Sequence, residues 1–149
     1  MNFSEIEPNR RDAFLDLLDT HLRGSSGNLK KDKCLPPMLL TTGKESNVAR
    51  CLVPKSGKYD VDEAFEAALL ILKSEDYDNA LFSYSTKVGL SDGRPVKALK
   101  SFVIGKNGLT VVFFTPYRIK GLFKKRVLYE KSIIGEIVED IFQNENRKF

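Results

Sequence analysis

Ala13, Phe14, Leu17, Leu18, His21 and Leu22 fall on one face at i, i+3 and i+4 spacing and predict an amphipathic helix. Pro8 suits its first turn, and Asn9 with Asp12 makes a weak capping box. Gly24-Ser25-Ser26-Gly27 predicts its end. The polar stretch over 24–37 then reads as a flexible loop. Met38 to Thr42 and Val48 to Val53 predict short strands, with turn chemistry at Gly43, Ser46 and Asn47. Asp60 and Glu63 resemble a capping box ahead of a helix over Val61 to Ser74. The second half of that helix is apolar almost all round, which predicts the most buried helix of the fold.

The second half of the chain reads as strands. Ala80, Phe82 and Tyr84 alternate with Leu81, Ser83 and Ser85, the pattern of a half-buried strand. Asp92-Gly93 and Asn107-Gly108 are hairpin signals on either side of a strand over Val96 to Ile104. Leu109 to Thr115 is apolar on both faces and predicts a central strand, with Pro116 interrupting it. Arg126 to Lys131 predicts a last strand. Ile133, Ile134, Ile137, Val138, Ile141 and Phe142 fall at helical spacing and predict a C-terminal amphipathic helix, ahead of a frayed tail over 144–149. The predicted order is α-β-β-α-β-β-β-β-α. It describes an α+β domain spanning 1–149, an antiparallel sheet of five to six strands with helices packed on it. The Ile-rich face of the C-terminal helix is expected to cover that sheet or to pair with a second copy in a homodimer.

Composition adds two limits. The longest apolar run, Ala67 to Leu72, has six residues, against about 20 for a spanning helix, so no membrane is expected. The N-terminus lacks a basic stretch followed by an apolar one. Cys34 and Cys51 make no disulfide framework, and reduced thiols in a cytoplasmic protein are expected.

Charge changes the picture more. Lys87 to Lys131 holds eleven Lys and Arg against Asp92 and Glu130, a local +9 in a chain of net +4, so the remainder sums to −5. Such asymmetry attracts anionic partners. Arg118, Lys120, Lys124, Lys125 and Arg126 are interleaved with Tyr117, Phe123 and Tyr129. That mixture suits phosphates and stacked bases, but also a solvated edge strand guarded by lysine with its aromatics in the core. Acids elsewhere in the fold are a further alternative, neutralising the block internally.

Catalytic chemistry finds less support in the sequence. His21, the only histidine, lies on the apolar stripe of the first helix and reads as a residue of the core edge rather than a general base. Glu75, Asp76 and Asp78 read as a solvated turn, and no EF-hand spacing is present. Gly105-Lys106-Asn107-Gly108 reads as a hairpin rather than a phosphate loop. The expected function is therefore non-enzymatic docking of an acidic protein or assembly subunit through Lys97, Lys100, Arg118, Lys120, Phe123, Lys124, Lys125 and Arg126. The alternatives are nucleic-acid binding by the same residues and a metal-dependent nuclease using Glu63, Glu66, Asp76 or Asp78 with a strand lysine. Neither a resident metal nor a cofactor is expected.

Overall fold

In the computed structural model, which describes residues 1–44, 47–53, 57–89 and 92–143, an antiparallel sheet lies between two helices. After a 3-10 turn at Phe3–Glu5 come α1 (Pro8–Asp32), β1 (Met38–Thr42), β2 (Asn47–Cys51) and α2 (Val61–Ser74). Three long strands follow, β3 (Asn79–Gly89), β4 (Pro95–Gly105) and β5 (Thr110–Lys120). The chain then forms β6 (Arg126–Tyr129), β7 (Ile133–Val138) and a 3-10 turn at Ile141–Gln143. The spatial order is β2-β1-β3-β4-β5-β6, with β7 also on β5. β6 pairs with the C-terminal part of β5 and β7 with its N-terminal part, so the two act as one interrupted edge strand. The α+β class is as expected.

Each helix covers one face. Ala64, Ala68 and Leu72 of α2 pack on Leu39, Ala80, Phe82, Phe102 and Ile104. The Phe65 ring sits 5.4 Å from Phe82 and 4.9 Å from Phe102. On the other face, Phe14, Leu17 and Leu18 of α1 meet Leu81, Val103, Val111 and Phe113. Leu29, near the end of α1, packs with Leu35, Leu99 and Tyr117. The first half of β3, Ala80 to Tyr84, is therefore buried on both faces rather than half-buried, and Ser83 and Ser101 satisfy each other across the ladder at 3.1 Å. β5 is central as expected, between β4 and the β6/β7 strand.

Several expectations need correction. α1 does not end at Gly24; it continues to Asp32, so most of the expected loop over 24–37 is helix. Ser25 and Leu29 extend the buried stripe of Phe14, Leu18 and His21. Two helical glycines cost about 1 kcal/mol each, and fully burying one leucine returns about 1.5–3 kcal/mol. α2 starts at its Asp60 cap as expected, with Asp60 accepting from the Asp62 and Glu63 amides at 2.8 and 3.4 Å. Its apolar second half is not buried all round, since Leu70 is 66% exposed.

The expected C-terminal helix is absent. Its apolar residues form β7 and the 3-10 turn. A helix there would have left the edge of β5 unpaired, and Ile133, Ile134, Ile137 and Val138 are β-branched residues that favour strands. Gly135 lies directly under the Phe114 ring, where any Cβ would collide with it. Homodimer formation through that helix loses its element. The expected frayed tail over 144–149 lies outside the described residues.

Pro116 does not interrupt β5. Its carbonyl accepts from the Glu130 amide at 2.8 Å, on the side of the β6/β7 strand. A residue in an antiparallel ladder directs N–H and C=O to the same side. The donor that proline lacks would thus point at the break between β6 and β7, where no ladder bond is lost. Among the described residues, no helix is long and apolar enough to cross a membrane.

Candidate docking surface at the β5–β6 end

The two ends of the strands differ in charge: one gathers cations and the other mixes acids with cations. β3, β4 and β5 have 11 residues each, which at about 3.3 Å per residue gives an axis of about 35 Å. At the β4–β5 turn stand Glu75, Asp76 and Asp78 with Lys44, Arg50 and Lys106 around one cavity, and Glu5, Glu7 and Glu139 with Arg10 around another. Asp140 abuts Gly108 in the turn itself. Around the β3–β4 and β5–β6 connections stand Lys87, Arg94, Lys97, Arg118, Lys120, Lys124, Lys125 and Arg126. A separation of about 35 Å exceeds the screening length of about 8–10 Å in physiological salt, so the two ends do not neutralise one another.

Some cations of the basic block are engaged. Arg94 pairs with Asp92 at 2.7 Å, Arg118 reaches Glu130 at 3.9 Å, and Lys106, at the acidic end, meets Asp76 at 3.4 Å. Among the described residues no carboxylate lies within ion-pair distance of Lys97, Lys120, Lys124, Lys125 or Arg126.

The eight expected contact residues fall into four places. Lys97 lies on the α1 face, across the ladder from Lys87. Arg118, Lys120 and Arg126 lie on the opposite face, by alternation with Tyr117, Ile119 and Val127, which pack with Leu29 of α1. Phe123, Lys124 and Lys125 occupy the connection beyond both faces. Lys100 stands apart near mid-sheet, its ammonium 5.2 Å from the Phe102 ring centroid and 5.5 Å from that of Phe114. Burial lowers its pKa, and the charges of Glu136 and Asp62 act the other way.

The β5–β6 connection is a tight projection. Gly121 adopts φ +106°, and a side chain there would run into the Lys124 carbonyl. Its apex carries Leu122 and Phe123, 90% and 99% exposed. Leu122 was not among the expected residues. Its exposure follows only once β5 and β6 form a hairpin with none of the described residues packed on its end.

Beside the projection lies a cleft of about 480 Å³. Val96, Tyr117 and Ile119 form its apolar walls, and Lys33, Lys97, Arg118 and Lys125 supply its charges. Lys33 was also missed, because it comes from the far end of α1. Tyr117 is a structural member of this site. Its hydroxyl donates to the Lys33 carbonyl at 2.9 Å and pairs with the Ser85 hydroxyl at 3.0 Å. Burial raises its pKa, the Ser85 hydrogen bond opposes that, and the Cys34 thiol adds to it. The Tyr129 hydroxyl donates to the Leu22 carbonyl at 2.6 Å, and burial raises its pKa to about 12.

The other candidates are occupied structurally. His21 is buried and meets the Ser25 hydroxyl at 3.3 Å through Nδ1, and burial pushes its pKa down to about 4. Glu75 accepts twice from the Arg50 guanidinium, at 2.7 and 2.8 Å. Among the described residues, no group of three His, Cys, Asp or Glu side chains is placed to hold a metal.

No family model matches the chain, and neither a curated protein nor a solved structure matches it.

Proposed function

We propose that this protein is a non-enzymatic binding module that docks an acidic protein partner, or an acidic subunit of an assembly, through the β5–β6 end of its sheet. The observation that carries this reading is the apex itself. Two adjacent large apolar side chains, Leu122 and Phe123, are almost fully exposed on a constrained turn. Lys120, Lys124, Lys125 and Arg126 surround them without carboxylate partners among the described residues. Apolar side chains surrounded by charge suit an interface with a buried anchor and a polar rim. The cations steer an acidic partner toward it. Exposed thiols at Cys34 and Cys51 agree with a cytoplasmic setting.

Single-stranded nucleic acid is the second reading, because Phe123 offers a ring face among cations. It is weaker on this surface. Tyr117 and Tyr129, the other aromatics of the basic block, have their hydroxyls bonded to the backbone of α1 and its cap. Leu122 offers nothing to stack.

A photocrosslinking amino acid in place of Phe123 tests the proposal. The expected result is a crosslink to one acidic protein, lost when Lys124 and Lys125 are changed to Glu. Crosslinks unaffected by that charge reversal, or crosslinks to RNA alone, count against it.

A further inference from the structure

The cleft beside the projection is distinct from its apex and has a chemistry of its own. Its charged lining residues, Lys33, Lys97, Arg118 and Lys125, are all cationic. They come from separate segments: the cap of α1, β4, the end of β5 and the β5–β6 connection. Tyr117 and Ile119 line the cleft as well. We infer that this cleft accepts an acidic peptide segment bearing one aromatic or aliphatic residue. That residue rests against Tyr117 and Ile119 while flanking carboxylates meet Lys33, Lys97 and Lys125; Arg118 already faces Glu130 at 3.9 Å. The inference rests on the docking function above and names the chemistry of the partner's contacting segment.

Three observations favour a peptide over other anions. First, the volume of about 480 Å³ falls within the range of about 300–1,000 Å³ typical of ligand pockets and accommodates a side chain with its adjoining backbone. Second, the site is concave. A bilayer is flat and would meet the apex at Leu122 and Phe123 while leaving Lys33 and Lys97 behind it. Third, Tyr117 is 3% exposed and held by two hydroxyl contacts. It offers a wall for an apolar side chain rather than an open ring face for a base. The wall is also pre-organised. The same tyrosine positions Lys33, which adopts φ +64° as the cap of α1, so little ordering is left for binding to supply.

The test uses the full chain and fluorescence anisotropy. The probe is a labelled peptide of alternating Glu and Asp with one central Phe. Controls replace its acids by Gln and Asn, or its Phe by Ser. Oligothymidylate and phosphatidylserine vesicles serve as competing anions. The charged, Phe-bearing peptide is expected to bind, with affinity falling as salt is raised. Lys97→Glu with Lys125→Glu should weaken it at least about tenfold. Lys44→Glu should leave it within about twofold, because that cation lines a different cavity at the other end of the strands. Melting temperatures of both variants confirm folding. Equal binding of the amide peptide, binding insensitive to the charge reversal, or preference for oligothymidylate or vesicles overturns the inference. If the peptide fails while Phe123 still crosslinks to an acidic protein, the cleft assignment is lost and the docking function stands. If both fail, the docking function is lost too.

Discussion

The Tyr117 hydroxyl donates to the Lys33 carbonyl at 2.9 Å and so joins β5 to the cap of α1, positions 84 residues apart. It is one step in a chain of donors. The Leu35 amide donates to the Ser85 hydroxyl at 2.6 Å, and that hydroxyl in turn meets the Tyr117 oxygen at 3.0 Å. Every member is satisfied, and such chains are worth more than their separate bonds. Tyr117→Phe should therefore cost about 1–3 kcal/mol, because it leaves the Lys33 carbonyl and the Ser85 hydroxyl short of a partner. Urea unfolding measures the loss. A cost near zero would mean the network does not position Lys33.

His21 sets an acid limit on stability. Its pKa in the folded protein is about 4, below the ordinary 6.5, because burial penalises the charged ring. Above pH 6.5 both folded and unfolded chains hold it neutral and it contributes no pH dependence. As pH falls from 6.5 toward about 4 the unfolded chain binds the proton first, so stability falls. The full loss is roughly 3 kcal/mol. His21→Gln should flatten that part of the stability profile, read from denaturant midpoints at several pH values. An unchanged slope would show that other groups govern acid sensitivity.

Gly135 distinguishes strand from helix at the C-terminal end. In a helix, Gly135→Ala would stabilise by up to about 1 kcal/mol. Under the Phe114 ring in β7 it has no room for a methyl group, and it should destabilise by about 1–3 kcal/mol. Thermal melting gives the sign.

The apex should separate binding from folding. Leu122 and Phe123 are 90% and 99% exposed, so Leu122→Ser with Phe123→Ser should change stability by no more than about 0.5 kcal/mol per residue. Partner docking should be lost. Gly121→Ala differs, because its backbone conformation and its contact with the Lys124 carbonyl exclude a side chain. It should cost about 1–3 kcal/mol, and amide chemical shifts should change mainly around the β5–β6 connection.

Elements with local cues were legible in the sequence. The Asp60 cap placed α2 correctly, and Asp92-Gly93 and Asn107-Gly108 set the β3–β4–β5 meander. The two elements misread had local cues that tertiary packing overrode. Gly24 and Gly27 signal a helix end, yet burial of Ser25 and Leu29 carries α1 past them. The Ile and Val residues after Lys131 match a helical period, yet the open edge of β5 takes them as a strand. Within the candidate site, Phe123 and the neighbouring cations were visible as a cluster. Lys33 and Leu122 were not, because neither residue's role is local.

The sequence by itself determined the α+β class, the hairpin meander and the excess of cations between Lys87 and Lys131. These follow from alternation, turn residues and charge counts, all of which act over a few neighbouring positions. Only the tertiary structure decided that most cations of the basic block gather at one end of the strands, that α1 brings Lys33 to the basic cleft, and that β7 completes the sheet. Those outcomes depend on contacts between residues far apart in the chain, where burial of apolar surface and pairing of strand edges outweigh local preference.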